Sequence, residues 1–204
     1  MSDVIVIDAG TGNLRSVQKA LEKLGMIVLR SNDPKEVVSG QRVVLPGVGA
    51  FAQFMCGLRE CGLDDAVKDI VRRGIPLLGI CVGMQALFEV GEEMGQHVGL
   101  GLLPGRVTRF PEALPVKIPH TGWNQLDVHN EAPLFRGIGS GVYVYFNHSY
   151  YCQPENPSQI TAITTHGMTY ACAVHSRNIF GVQFHPEKSQ RVGLQILKNF
   201  LEIP

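Results

Sequence analysis

The chain lacks the features that mark several large protein classes. Its five cysteines (Cys56, Cys61, Cys81, Cys152 and Cys172) are odd in number and include no C-x-x-C pair, so neither a disulfide framework nor a zinc ribbon is expected. No apolar run approaches the roughly 20 residues that a membrane helix needs, and Met1-Ser2-Asp3-Val4 offers no positive region before its apolar stretch, so no secretory signal is expected. An excess of either charge is missing too. Lys+Arg and Asp+Glu are both 18, and the basic residues are scattered, so no field draws the chain to nucleic acid or an anionic membrane. These absences predict a soluble, cytoplasmic protein without a metal site, a nucleic-acid partner or a membrane.

What is present is an ordinary globular composition, 45% apolar and 18% charged over 204 residues, which suits one domain spanning 1–204. The first half alternates strand and helix. Val4-Ile5-Val6-Ile7 is a buried-strand run ending at the turn-former Asp8-Ala9-Gly10-Thr11-Gly12; Leu14, Val17, Leu21 and Leu24 recur at helical spacing and stop at Gly25. Met26 to Leu29, Val43 to Leu45 and Pro76 to Ile80 read as further strands. A helical stretch runs to about Arg73, and the residues after Cys81 read as helical. Such alternation predicts an α/β domain with a mostly parallel sheet covered on both faces. In the second half, Val107 to Phe110, Gly141 to Phe146, Ile160 to Thr164, Tyr170 to Val174 and Phe180 to Phe184 read as shorter strands that add antiparallel or mixed pairs. A last helix places Val192, Ile196, Leu197, Phe200 and Leu201 on one face.

The most informative segment is Gly79-Ile80-Cys81-Val82-Gly83-Met84-Gln85, a G-x-C-x-G sequence between a predicted strand and a predicted helix. It has the form of a nucleophile elbow with cysteine in place of serine. The glycines leave room for a strained turn that presents the side chain above the sheet. The N-terminal N–H groups of the following helix favour a thiolate, and the Val82 N–H is placed to bind an oxyanion. The other four cysteines read as small buried hydrophobes.

A thiolate nucleophile needs a proton donor for the leaving group and a third group to orient that donor. His185-Pro186-Glu187 follows an apolar strand. Pro186 biases His185 toward an extended conformation, and in extended chain residues i and i+2 face the same way, so the Glu187 carboxylate can reach the imidazole. The segment does not fit His-Glu-x-x-His, the pattern of a helical zinc site.

Together, Gly79, Cys81, Gly83, Gln85, His185, Pro186 and Glu187 resemble, in kind and in chain order, the class I (triad) glutamine amidotransferases. The resemblance implies that family's three-layer α/β sandwich, no cofactor, L-glutamine as substrate, and Cys81, His185 and Glu187 as the catalytic groups. It implies further that Val82 and the Gly47-Val48-Gly49 loop bind the oxyanion, and that Gln85, Glu93, His148, Ser149 and Tyr150 contact the amino-acid part of glutamine.

Finer motifs resemble one branch of that family, the glutaminase subunits of imidazole glycerol phosphate synthase. They are Asp8-x-Gly-x-Gly-Asn13-Leu14, Leu45-Pro46-Gly47-Val48-Gly49-Ala50-Phe51, Ile118-Pro119-His120-x-Gly122-Trp123-Asn124 and His148-Ser149-Tyr150. That branch implies a heterodimer with the cyclase subunit HisF, a (β/α)8 barrel that receives the ammonia. It implies an interface including Asn13, His120, Trp123, Asn124 and Lys188. Two other readings compete: a glutaminase serving another synthase, which the Pro-Gly-Val-Gly and Gly-Trp-Asn motifs disfavour, and a redox-sensing protein with Cys81 as sensor thiol, which has no need of the His185/Glu187 pair.

Overall fold

The computed structural model describes residues 2–129 and 132–204. Its strands are β1 (Val4–Ile7), β2 (Val28–Ser31), β3 (Val43–Gly47), β4 (Leu77–Cys81), β5 (Phe88–Gly91), β6 (His97–Val98), β7 (Leu103–Arg109), β8 (His120–Gln125), β9 (Asp127–Val128), β10 (Tyr143–His148), β11 (Tyr150–Pro154), β12 (Ile160–Thr165), β13 (Thr169–Ser176) and β14 (Ile179–Val182). Its helices are α1 (Leu14–Lys23), α2 (Pro34–Val37), α3 (Phe51–Glu60), α4 (Leu63–Arg72), α5 (Val82–Gln85) and α6 (Gln190–Leu201).

The main sheet runs β2-β1-β3-β4-β14-β13-β11-β7-β5-β6. Its first five strands are all parallel. From β14 onward antiparallel pairs dominate, with β12 and β9 extending from β13. β1, β3, β4 and β14 are buried apolar runs, as a sheet covered on both faces requires, while β2 at the edge is partly exposed. Strand order reverses between β1 and β3, so right-handed crossovers send α1 to one face and α3 and α4 to the other. α1 packs near α6, while α2 and α3 pack against α4. α1 turns Leu14, Val17, Ala20 and Leu21 inward, and each fully buried aliphatic side chain of this kind contributes about 1.5–3 kcal/mol. A second, two-stranded sheet pairs β10 with β8 antiparallel and lies beside the triad segment.

The α/β architecture agrees with the sequence reading, with local corrections. The second strand lies two residues later than Met26–Leu29. The stretch ending near Arg73 is two helices, broken at Gly62, whose φ of 67° suits glycine. The helix after Cys81 is a single turn, because the chain enters β5 within three residues of Gln85. Cys56 and Cys61 are exposed, not buried, since Cys56 lies off the Phe51/Phe54/Met55/Leu58 face of α3 and Cys61 sits at its C-terminus. Cys152 and Cys172 are buried as expected.

Candidate active site

The C-terminal ends of β3, β4 and β14 converge on one cleft. β4 delivers Cys81 at the turn into α5 with φ 56° and ψ −112°, a conformation L residues rarely hold. Two glycines make this turn possible. A Cβ on Gly83 would lie 1.8 Å from the Leu45 carbonyl oxygen of the neighbouring strand, and one on Gly79 would lie 2.7 Å from the Gly83 carbonyl oxygen. The elbow is therefore pressed directly against β3 and against its own strand.

The segment after β14 is held by the two-stranded sheet. The His185 N–H donates to the Tyr145 carbonyl at 2.8 Å, and Ser189 donates its hydroxyl to the His185 carbonyl at 2.6 Å. His185 is extended, with φ −99° and ψ 96°, and its Nδ1 lies 2.9 Å from Glu187 Oε1. Both side chains are almost fully buried, 4% and 1% exposed. The imidazole lines the same cleft as the Cys81 sulfur and interacts with it electrostatically. Burial works against the imidazolium. The interactions with Cys81 and Glu187 outweigh it and push the His185 pKa up to about 10. The second Glu187 oxygen is buried without a hydrogen-bond partner among the described residues, so its charge is left to bear on His185.

The cleft has a volume of about 240 Å³, below the roughly 300–1,000 Å³ of sites for drug-sized ligands. Val48, Gly49, Val82, Gln85, Glu93, His148, Ser149 and Tyr150 all line it, together with Cys81, His185 and Lys188. Gly47 does not. It pairs with Cys81 inside the sheet, and a Cβ there would meet the Gly83 nitrogen at 2.8 Å, so its part is to let the elbow approach. Gly49, with φ +88° and open space around it, supplies the turn out of β3. Glu93 accepts the Phe51 N–H at 2.6 Å and so caps α3, whose N-cap residue, Ala50, has no side chain able to do so. His148 is buried with both ring nitrogens engaged inside the protein.

Of the residues assigned to a partner surface, Trp123 is 45% exposed and Lys188 is exposed, with its ammonium 5.6 Å from the centre of the Tyr145 ring. Tyr145 in turn meets Trp123 edge-on. Asn13 begins α1, and Asn124 is half-buried. His120 corrects the expectation. It is 3% exposed, its side chain turned inward on β8 by the alternation that turns Trp123 outward, and it presents nothing to a partner.

Gln183 was not singled out in the sequence. It is fully buried, accepts from Gln85 Nε2 at 3.2 Å and donates to the Cys81 sulfur at 3.7 Å. The signal that could have found it is a lone amide in the apolar run Phe180 to Phe184.

A family model described as glutamine amidotransferase class-I matches residues 5–203. The chain belongs to the class-I glutamine amidotransferase family. Among individual relatives, the imidazole glycerol phosphate synthase subunit HisH of Moorella thermoacetica is 50% identical over 203 residues, covering 100% of this chain and 96% of that one. The subunit of the same name from Syntrophotalea carbinolica is 48% identical over 97% of this chain and 98% of its own. A solved glutamine amidotransferase superposes with a TM-score of 0.77 at 22% identity, covering 98% of this chain and 97% of that one. That likeness shows the amidotransferase fold. Among the described residues no helix is long and apolar enough to cross a membrane, and no cluster of side chains is arranged to hold a metal ion.

Proposed function

We propose that this amidotransferase is the glutaminase subunit of an imidazole glycerol phosphate synthase. Cys81 and His185 facing one small cleft, with His185 hydrogen-bonded to Glu187, carry the glutaminase part of this reading; the near-full-length likeness to HisH proteins supports the pathway.

The chemistry follows from the proton's position. At neutral pH His185 carries a proton. The Cys81 sulfur attacks the side-chain carbonyl carbon of glutamine, forming a C–S bond, and the carbonyl oxygen becomes an oxyanion facing the N–H groups at Val82 and the Val48–Gly49 turn. The C–N bond then breaks as His185 gives its proton to the departing nitrogen, which leaves as ammonia. The neutral imidazole next takes a proton from water, whose oxygen attacks the γ-glutamyl thioester. The C–S bond breaks, glutamate leaves, and the free Cys81 sulfur and the protonated His185 are restored. Glu187 holds the ring and stabilises the imidazolium. Gln85 and the Ser149–Tyr150 main chain orient the amino-acid end of glutamine, and Glu93 offsets its ammonium charge.

The partner in this reading is a (β/α)8-barrel cyclase subunit that consumes the ammonia. It would dock over the Asn13 turn, the exposed Trp123 and Lys188 and the half-buried Tyr145 beside the cleft. Ammonia released into water at neutral pH would be protonated and lose its nucleophilicity, so delivery through a sealed contact is the physical reason for pairing the subunits. The test is glutamate release by this chain mixed with such a cyclase, with and without the ribulosyl aminoimidazole carboxamide nucleotide that serves as its acceptor. Release that needs the cyclase and rises with acceptor is expected. Release indifferent to both would discard the pathway and keep the glutaminase.

A further inference from the structure

Around His148, which lines the cleft, lies a cluster of buried polar rings that the mechanism above does not use. His148 Nδ1 lies 2.8 Å from the Tyr150 carbonyl oxygen and His148 Nε2 lies 2.9 Å from the Tyr170 hydroxyl. The same hydroxyl lies 2.8 Å from His120 Nδ1. His120 Nε2 lies 3.3 Å from the side-chain nitrogen of Asn124, which also donates to the Thr165 carbonyl at 2.8 Å. Tyr170, His120 and His148 are all buried.

With both rings neutral, one assignment of protons satisfies every contact. A carbonyl oxygen accepts only, so His148 carries its proton on Nδ1 and its Nε2 is bare. Tyr170 must then donate to His148, which leaves the phenol oxygen to accept from His120 Nδ1. His120 Nε2 is therefore also bare and accepts from Asn124. Burial pushes the His148 pKa down to about 3 and, with the neighbouring His166, that of His120 down to about 4, so both rings stay neutral as the assignment requires. The chain of donors ends on the Tyr150 carbonyl. That oxygen also accepts from Gln85 Nε2 at 3.0 Å. Gln85 Nε2 makes the 3.2 Å bond to Gln183 as well, so both of its protons are committed and its side-chain oxygen is the atom left for the cleft.

We propose that Tyr170 and His120 are positioning residues of the glutamine site: by fixing His148 as an Nδ1–H donor they hold the Tyr150 peptide, and through it they hold Gln85 with its oxygen toward the substrate. Neither residue touches the substrate. The inference deepens the glutaminase reading and rests on it, while the proton assignment itself stands or falls alone.

Two measurements test it. Nitrogen-15 chemical shifts of the imidazoles in the full wild-type chain should show both His148 and His120 as neutral rings protonated on Nδ1 at neutral pH; either ring protonated on Nε2, or charged, would overturn the assignment. Glutamine hydrolysis by the complex with the cyclase should then show KM raised about tenfold in Tyr170→Phe, the size of one lost neutral hydrogen bond, with kcat within about twofold. Tyr151→Phe is the control, because that phenol stacks in the same aromatic cluster and accepts from Gln153 at 3.0 Å but lies off the chain. It should leave both constants unchanged. An unchanged KM in Tyr170→Phe, or the same loss in both variants, would reduce Tyr170 to packing. If Tyr170→Phe does not fold, the nitrogen shifts of the wild type still decide the assignment. Absence of any glutamine hydrolysis by the wild-type complex would instead refute the glutaminase reading and leave the proton assignment intact.

Discussion

Two buried histidines line the same cleft, and their surroundings drive them in opposite directions. His185, at the end of the parallel half of the sheet, meets a carboxylate and a sulfur, and its pKa is pushed up to about 10. His148, on the antiparallel side, meets a carbonyl and a phenol, and its pKa falls to about 3. Burial disfavours charge at both. The difference is made by partners: an anionic acceptor repays the desolvation of an imidazolium, and a neutral one does not. One histidine thus holds a mobile proton, and the other a fixed one.

Removing the charged side should have the largest effect. His185→Ala should lower glutamine hydrolysis by about 10⁴-fold or more, the size seen when one member of a catalytic unit is lost, and His148→Ala should cost far less. Comparable losses in steady-state assays of the two variants would erase the distinction. Glu187→Gln comes next. It keeps the shape of the Glu187 side chain but removes its charge, so we expect activity to fall by ~10²–10⁴-fold and the His185 titration, followed by NMR, to move down from about 10. A His185 titration that does not move would mean that Glu187 is not what holds the proton.

The smallest effect is on stability. A histidine whose pKa is raised on folding stabilises the fold fully below about pH 6.5, and that stabilisation is lost as pH climbs through about 10. For His120 and His148, lowered to about 4 and 3, the unfolded chain takes up protons that the fold refuses, so stability falls as pH drops below about 6.5. Tm measured against pH should therefore peak near 6.5. His185→Ala should flatten the alkaline limb alone. A profile level from pH 4 to 9 would contradict both assignments.

The parallel half of the fold was legible because its signals are local: short apolar runs, helical periodicity, and glycines at turns. The elbow was legible for the same reason, since Gly79, Cys81 and Gly83 lie within five residues. So was the His185/Glu187 contact, because an extended chain and a spacing of two suffice to place one carboxylate beside one ring. The helix after Cys81 read as longer than its single turn because nothing in Met84 to Leu87 announces that the chain returns to the sheet as β5. The polar cluster was not legible at all. Tyr170 meets His120 across 50 residues and His148 across 22, and Gln183 reaches Cys81 across 102. His120 is misplaced for a related reason: His120 to Asn124 reads as one surface, whereas strand alternation sends His120 inward and Trp123 outward.

The most direct test of the account is to trap the intermediate. The chain, in complex with the cyclase and turning over glutamine, is quenched in acid and analysed by mass spectrometry after digestion. The account predicts a γ-glutamyl group on the peptide containing Cys81, absent from Cys81→Ala. Glutamate release without that adduct in the wild type, or an adduct that persists in Cys81→Ala, would contradict it.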